Sequence, residues 1–153
     1  MTGDTGHVPE RPLDVVRTAF EKAARVRDPS GRQLDVLDPE SRAVVFGFVD
    51  EEVEFREDPR FPESGVYHGV EAVRRYFEEF TESFDEFLLD DPEYVPVDDE
   101  RLLMQFHLRM RGKGSGAPAE ALPGWLWTIR DGKGVKIEAF LDRAEARSAA
   151  GLD

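Results

Sequence analysis

Between Leu13 and Val26 the apolar residues fall at helical spacing. Leu13, Val16, Ala19, Phe20, Ala23 and Ala24 recur three and four apart, which predicts an amphipathic helix with one buried face. Pro12 precedes it, where a first helical turn tolerates proline. Arg27 to Pro39 carries two Pro and one Gly and reads as a loop. Asp38-Pro39-Glu40 is a helix start, with Asp as N-cap and Pro at the first helical position. A short second helix follows from it, although Ala43, Val44, Phe46, Gly47 and Phe48 would also suit a strand. Val53 and Phe55 then alternate with Glu54 and Arg56 as in a half-buried strand, which Pro59 and Pro62 end. Gly69 precedes a third helix, Val70 to about Phe84, with Val70, Val73, Phe77, Phe80 and Phe84 on one face. The stretch from Val53 to Phe77 brings strand, acidic turn and helix together, so a pocket with a carboxylate at its rim is expected there.

After the third helix the period changes to two. Strands are predicted over about 86–97, 101–112, 122–130 and 134–142, and a short closing helix over 143–150. In the second strand Leu102, Met104, Phe106, Leu108 and Met110 take one face. Leu103, Gln105, His107, Arg109 and Arg111 take the other, and a one-residue slip would exchange the two sets. GKGSGAP reads as a flexible turn, and Asp131-Gly132-Lys133-Gly134 as a hairpin turn. Helices first and an antiparallel meander after them predict an α+β fold: a curved antiparallel sheet wrapped around N-terminal helices, as a cone open at one end. Residues 1–11 are expected to be a disordered tail, and 12–153 a single domain.

Composition narrows the chemistry. Eleven Phe residues can line a broad apolar cavity as readily as fill one. A net charge of −13, from 20 basic and 33 acidic residues, argues against binding nucleic acid or an anionic membrane surface. There is no Cys, which excludes disulfides, thiolate nucleophiles and Cys-based zinc sites. Three scattered His give no zinc spacing, the acids lack the period of a calcium loop, and GKGSG does not precede a helix as a phosphate loop does. No metal or cofactor is therefore expected. No signal-like run and no stretch of membrane-span length occur, so a cytoplasmic location is expected.

Four stretches carry a resemblance: VDEEVEF, PESGVYHGVEAVRRYFEEF, RMRGKGSG and PGWLWTIRDGKGVKIEAFLDRAEA. With the order of elements, they resemble the nuclear transport factor 2-like superfamily, and within it the SnoaL-like polyketide-cyclase branch, related to ketosteroid isomerases and limonene-epoxide hydrolases. The resemblance implies a curved sheet around a deep apolar pocket, and commonly a homodimer, placed here through the outer sheet face bearing His107, Arg109 and Arg111. It places Glu57 at the isomerases' general base, and Phe55 and Glu57 at two water-positioning residues of the hydrolases. The isomerases' first-helix Tyr falls near Ala19 or Phe20, their oxyanion-hole Asp near Trp125, and the hydrolases' last-strand acid at Ala139. Neither exact reaction carries over. Phe20, Phe55, Tyr67, Phe77, Phe106, Trp125, Trp127, Ile137 and Ala139 are the expected ligand-binding residues.

Three residues are candidates for catalysis, each with a plainer alternative. Glu57, at a strand end facing aromatic rings, would be desolvated, which raises a carboxyl pKa toward neutrality and suits a general base. Its alternative is a solvated Glu beside Glu54 and Asp58. Asp58 either forms the turn before Pro59 or raises the Glu57 pKa by repulsion. His68 either pairs with Glu57 as an acid across a closing loop or is a loop contact. Tyr76 and Tyr94 are hydroxyl donors without motif support, and His7 lies in the tail. The expected function is a small enzyme doing cofactor-free acid–base chemistry on an apolar organic molecule, by isomerisation, cyclisation or water addition. The alternative is a non-catalytic ligand-binding or assembly module of the same fold.

Overall fold

The computed structural model describes residues 11–61, 63–114 and 116–152. The order of elements is α1 (Pro12–Ala24), β1 (Gln33–Asp35), α2 (Pro39–Phe46), β2 (Val49–Arg56), β3 (Val66–His68), α3 (Val70–Thr81), β4 (Phe84–Pro96), β5 (Arg101–Gly112), β6 (Pro118–Ala121), β7 (Gly124–Arg130), β8 (Lys133–Phe140) and α4 (Arg143–Ala149). The expected tail lies outside the described residues apart from Arg11. α1–α3 interleave with β1–β3, and β4–β8 then follow in succession before α4, which gives the α+β class the pattern predicts.

The cap decides the ambiguous second element. Asp38 accepts from the Ser41 N–H at 3.1 Å and from the Ser41 hydroxyl at 2.7 Å, and Pro39 starts the helix without needing a donor. β-branched Val44 and Val45 do not outweigh that start.

Four boundaries differ from the sequence pattern, each for a pairing reason. α3 stops at Thr81, because Phe84 pairs with Gly112 of β5 and opens β4. Its ring still joins the helical stripe, 4.9 Å from that of Phe80, so one periodicity fits both roles. Gln33–Asp35 forms β1 against Leu88, Leu89 and Asp90 of β4. Val66–His68 forms β3 against β2. Pro118–Ala121 forms β6 on the edge of β5, so β6 and β7 run in succession along one edge of β5, broken at Pro123.

The sheet order is β1-β4-β5-β7-β8-β2-β3, with β6 beside β5. It is curved and does not close. Every pairing is antiparallel except β2 with β8, which is parallel. A bulge in β4 between Asp90 and Glu93, with Asp91 at φ 47°, bends the sheet. The concave face holds the main core: Phe20 and Val16 of α1, Val73 and Phe77 of α3, and Leu102, Met104, Phe106 and Leu108 of β5. The register of β5 is thereby settled, with the Leu102-to-Leu108 set inward.

The convex face is covered in part by α4, which buries Ala146 and Ala150 on Leu103 and Leu126. This approach needs Gly124. A Cβ there would lie 2.6 Å from the Ala146 Cβ. Gly124→Ala should therefore cost about 1–3 kcal/mol through displacement of α4. Urea unfolding would measure it, and an unchanged midpoint would show that α4 does not bear on that strand. Among the described residues no helix is long and apolar enough to cross a membrane.

Candidate functional site

The concave face and α1–α3 enclose a cavity whose wall is almost wholly apolar. It leaves about 70 Å³ for the centres of water-sized spheres, several times the ~10–15 Å³ that one water needs. Of the nine expected ligand-binding residues, Phe20, Phe77, Phe106, Trp125, Trp127, Ile137 and Ala139 line it. Phe55 stands behind the wall, its ring against those of Phe77 and Trp125. Tyr67 also lies outside it, its ring centre 4.5 Å from that of Tyr76.

Among the described residues Glu57 is the one carboxylate on the wall. It directly follows β2, and it shares the inward parity of Val53 and Phe55, both fully buried. Its backbone N–H donates to Gly65 O at 3.0 Å, which holds the chain extended there. Oε2 accepts from the Tyr76 hydroxyl at 2.6 Å, and Oε1 from the Asp58 N–H at 2.9 Å. Burial pushes its pKa up to about 7; the two hydrogen bonds oppose this, and the charge of Asp58 adds a little. Burial and the neighbouring Glu57 carboxylate raise the Tyr76 pKa, so Tyr76 stays a donor. Tyr76 sits three residues after Val73 and beside Phe77 in the α3 stripe, and that spacing was the signal for it.

Asp58 has the opposite parity and a structural role. Its carboxylate is 2 % exposed and is gripped by Arg60 at 2.8 Å (Nε) and 2.6 Å (Nη2). It also accepts from the Leu141 N–H at 2.6 Å, tying the loop after β2 to the end of β8. Arg60 holds its pKa down at about 2. Asp58 is therefore an ionised clasp rather than a proton carrier, and its effect on Glu57 is the smallest of the causes. Arg60 reaches on to Glu145 of α4 at 2.6 Å.

His68 is not brought to Glu57. The β2–β3 register sets Phe55 opposite Tyr67 and Glu54 opposite His68. Tyr67 thus shares the face of Phe55, and His68 goes to the outer face with Glu54, 73 % exposed and 3.9 Å from the Glu54 carboxylate. The acid–base pair across the loop does not form. On the same outer side, His107 meets Glu120 at 2.5 Å and Arg109 meets Asp90 at 2.7 Å. These basic residues are engaged within the chain.

Arg42 of α2 also reaches the wall, which the sequence pattern did not reveal. Its guanidinium donates to Val36 O at 2.8 Å, and burial lowers its pKa against the favourable charges of Glu78, Asp38 and Asp35. Among the described residues, no group of His, Cys, Asp or Glu is arranged to hold a metal ion.

The SnoaL-like domain family matches residues 31–137, from before β1 into β8. This chain belongs to that family. The match contains Glu57, Tyr76, Trp125 and Trp127, and leaves out α1 and α4. Solved SnoaL-like and NTF2-like structures share the fold. An NTF2-like protein from Burkholderia thailandensis is 23 % identical with a TM-score of 0.64, over 94 % of this chain and 99 % of that one. A protein from Jannaschia, provisionally named a SnoaL-like polyketide cyclase, is 14 % identical with a TM-score of 0.63, over 96 % and 97 %. TerC, crystallised with polyporic acid, is 16 % identical with a TM-score of 0.62, over 91 % and 98 %. No curated protein matches this SnoaL-like sequence.

Proposed function

We propose that this SnoaL-like domain is an enzyme that moves protons on an apolar organic molecule held in the cavity, with Glu57 as the base. One observation carries it: a half-buried carboxylate on an almost wholly apolar wall, its pKa raised to about 7. Such a group is about half ionised at neutral pH. It can take a proton from carbon beside a carbonyl and return it elsewhere, which serves isomerisation or an aldol-type cyclisation; it can equally activate a water. The apolar wall supplies binding by burial and keeps bulk water from the intermediate. The provisional cyclase name of the Jannaschia neighbour and the co-crystallisation of TerC with polyporic acid are in keeping with this class of ligand.

The test is a carboxyl-carbon NMR titration, with Glu57→Gln to assign the signal. A midpoint near 7 is expected. An ordinary midpoint of about 4.3 would overturn the base assignment. It would favour the binding-module reading, which the position of His68 outside the cavity also favours. Since among the described residues no second acid or His joins Glu57 on the cavity wall, the rate should rise with pH through about 7 and then level, with a single limb.

A further inference from the structure

We propose that Tyr76 is the positioning residue of this site: from behind the wall its hydroxyl fixes the Glu57 carboxylate and favours the ionised form that a base needs. The proposal rests on the reading of Glu57 as the base. It adds a residue that acts through Glu57 without touching the bound molecule.

Tyr76 is 4 % exposed and does not line the cavity. Its ring is held by those of Phe55 of β2, Tyr67 of β3, and Phe77 and Phe80 of α3, with centroids at 5.7, 4.5, 5.4 and 5.8 Å. Rings on three elements thus fix where the hydroxyl goes. A Phe in this stripe would pack as Phe77 and Phe80 do, so packing does not call for the oxygen. A buried hydroxyl without a partner is costly. Its partner here is Oε2 of Glu57 at 2.6 Å, the short distance of a charge-assisted O–H···O⁻ bond. The Asp58 N–H holds Oε1 at the same time, at 2.9 Å. With both oxygens tied the carboxylate cannot turn, and each oxygen keeps a further lone pair for a proton.

Two influences compete on Glu57. Burial disfavours its charge, and donors to the carboxylate favour it; the larger of the two donor effects is that of Tyr76. Among the described residues no cation pairs with Glu57. Arg60 is engaged by Asp58 and Glu145, and Arg42, on the same wall, donates to Val36 O. Of the other titratable groups, Asp58 raises the Glu57 pKa slightly, while Tyr67 of β3 and Glu63 of the loop before it help to keep Tyr76 protonated. From β7 and β8 the wall presents Trp125, Trp127, Ile137 and Ala139, which carry no charge. The counterweight to burial therefore falls to a neutral phenol.

The test follows the Glu57 carboxyl carbon by NMR titration in the full chain, as wild type, Tyr76→Phe and Tyr67→Phe. Tyr76→Phe should raise the midpoint by about one to two pH units, the worth of a hydrogen bond to a charged group. Tyr67→Phe removes a hydroxyl that donates to Glu63 O in the same ring cluster, and should leave the midpoint in place. Exchange of the activated hydrogens of 2-tetralone in heavy water gives a second readout: in Tyr76→Phe the rising limb of its pH profile should move up with the midpoint. A Tyr76 that merely packs would lower stability and leave midpoint and limb unmoved, which would overturn the proposal. An equal rise in Tyr67→Phe would overturn it too, as an effect of packing. A wild-type midpoint of about 4.3 would remove the base and this proposal together, whereas one near 7 that Tyr76→Phe does not move would remove this proposal alone. Should Tyr76→Phe not fold, 3-fluorotyrosine incorporated throughout the chain, a stronger donor than tyrosine, should lower the midpoint, and no movement would overturn the proposal.

Discussion

Glu57→Gln should leave the chain folded and slow proton transfer by roughly 10²–10⁴-fold, the usual worth of a positioned general base. The assay is exchange of the activated hydrogens of 2-tetralone in heavy water, followed by proton NMR. The Gln carbonyl oxygen still accepts from the Tyr76 hydroxyl, while its NH2 cannot accept from the Asp58 N–H, so one of the two hydrogen bonds survives and the proton acceptor is lost. Stability gives a second readout. The Glu57 pKa is raised on folding from 4.5 to about 7. The folded chain therefore holds the proton more tightly, and this favours it fully below pH 4.5. The advantage is lost as pH rises through about 7, and it amounts to roughly 3 kcal/mol at ~1.4 kcal/mol per pKa unit. The wild type should lose stability relative to Glu57→Gln between pH 4.5 and 7. Parallel melting curves across that range, or full exchange activity in the variant, would remove Glu57 from the mechanism.

Asp58→Ala is the substitution expected to cost most stability, about 2–3 kcal/mol. Breaking a buried pair strands its partners. Here the Leu141 N–H loses its acceptor, while half-exposed Arg60 can turn to water and keeps the cost near the lower end. The pH dependence has the opposite sign to that of Glu57. The Asp58 pKa is depressed from 3.8 to about 2, so its contribution is present above pH 3.8 and is lost as pH falls through 2. Urea unfolding at neutral and acid pH should show the two proteins converging in acid. A variant within ~0.5 kcal/mol of the wild type at pH 7, the range of an ordinary surface change, would mean that the clasp holds nothing.

The contrast between these neighbours shows what could be read in the chain. Val53, Phe55 and Glu57 alternate, so the inward aim of Glu57 was legible two residues at a time. The stripes of α1 and α3 and the period of β5 were legible for the same reason: each runs long enough to repeat. β1, β3 and β6, of three, three and four residues, are too short to show a period, and they are strands only because a neighbour pairs with them. The outward aim of His68 follows from the pairing of Phe55 with Tyr67, which no local pattern contains. The clasp role of Asp58 depends on Leu141, far along the chain, and the Trp127 nitrogen, unpartnered among the described residues, depends on its apolar neighbours Phe20, Leu102 and Ile137.

Among the described residues one pairing, β2 with β8, is parallel, and it bears on when Glu57 takes up its half-buried setting. A chain made from its N-terminus produces β2 early and its partner last of all the strands. Until β8 leaves the ribosome, β3 is the strand that β2 has to pair with among the described residues, and Ile137 and Ala139 are missing from the wall. Glu57 at that stage is an ordinary hydrated carboxylate. Its raised pKa depends on the closing strand, so an unfinished or C-terminally trimmed chain should carry Glu57 as an ordinary carboxylate.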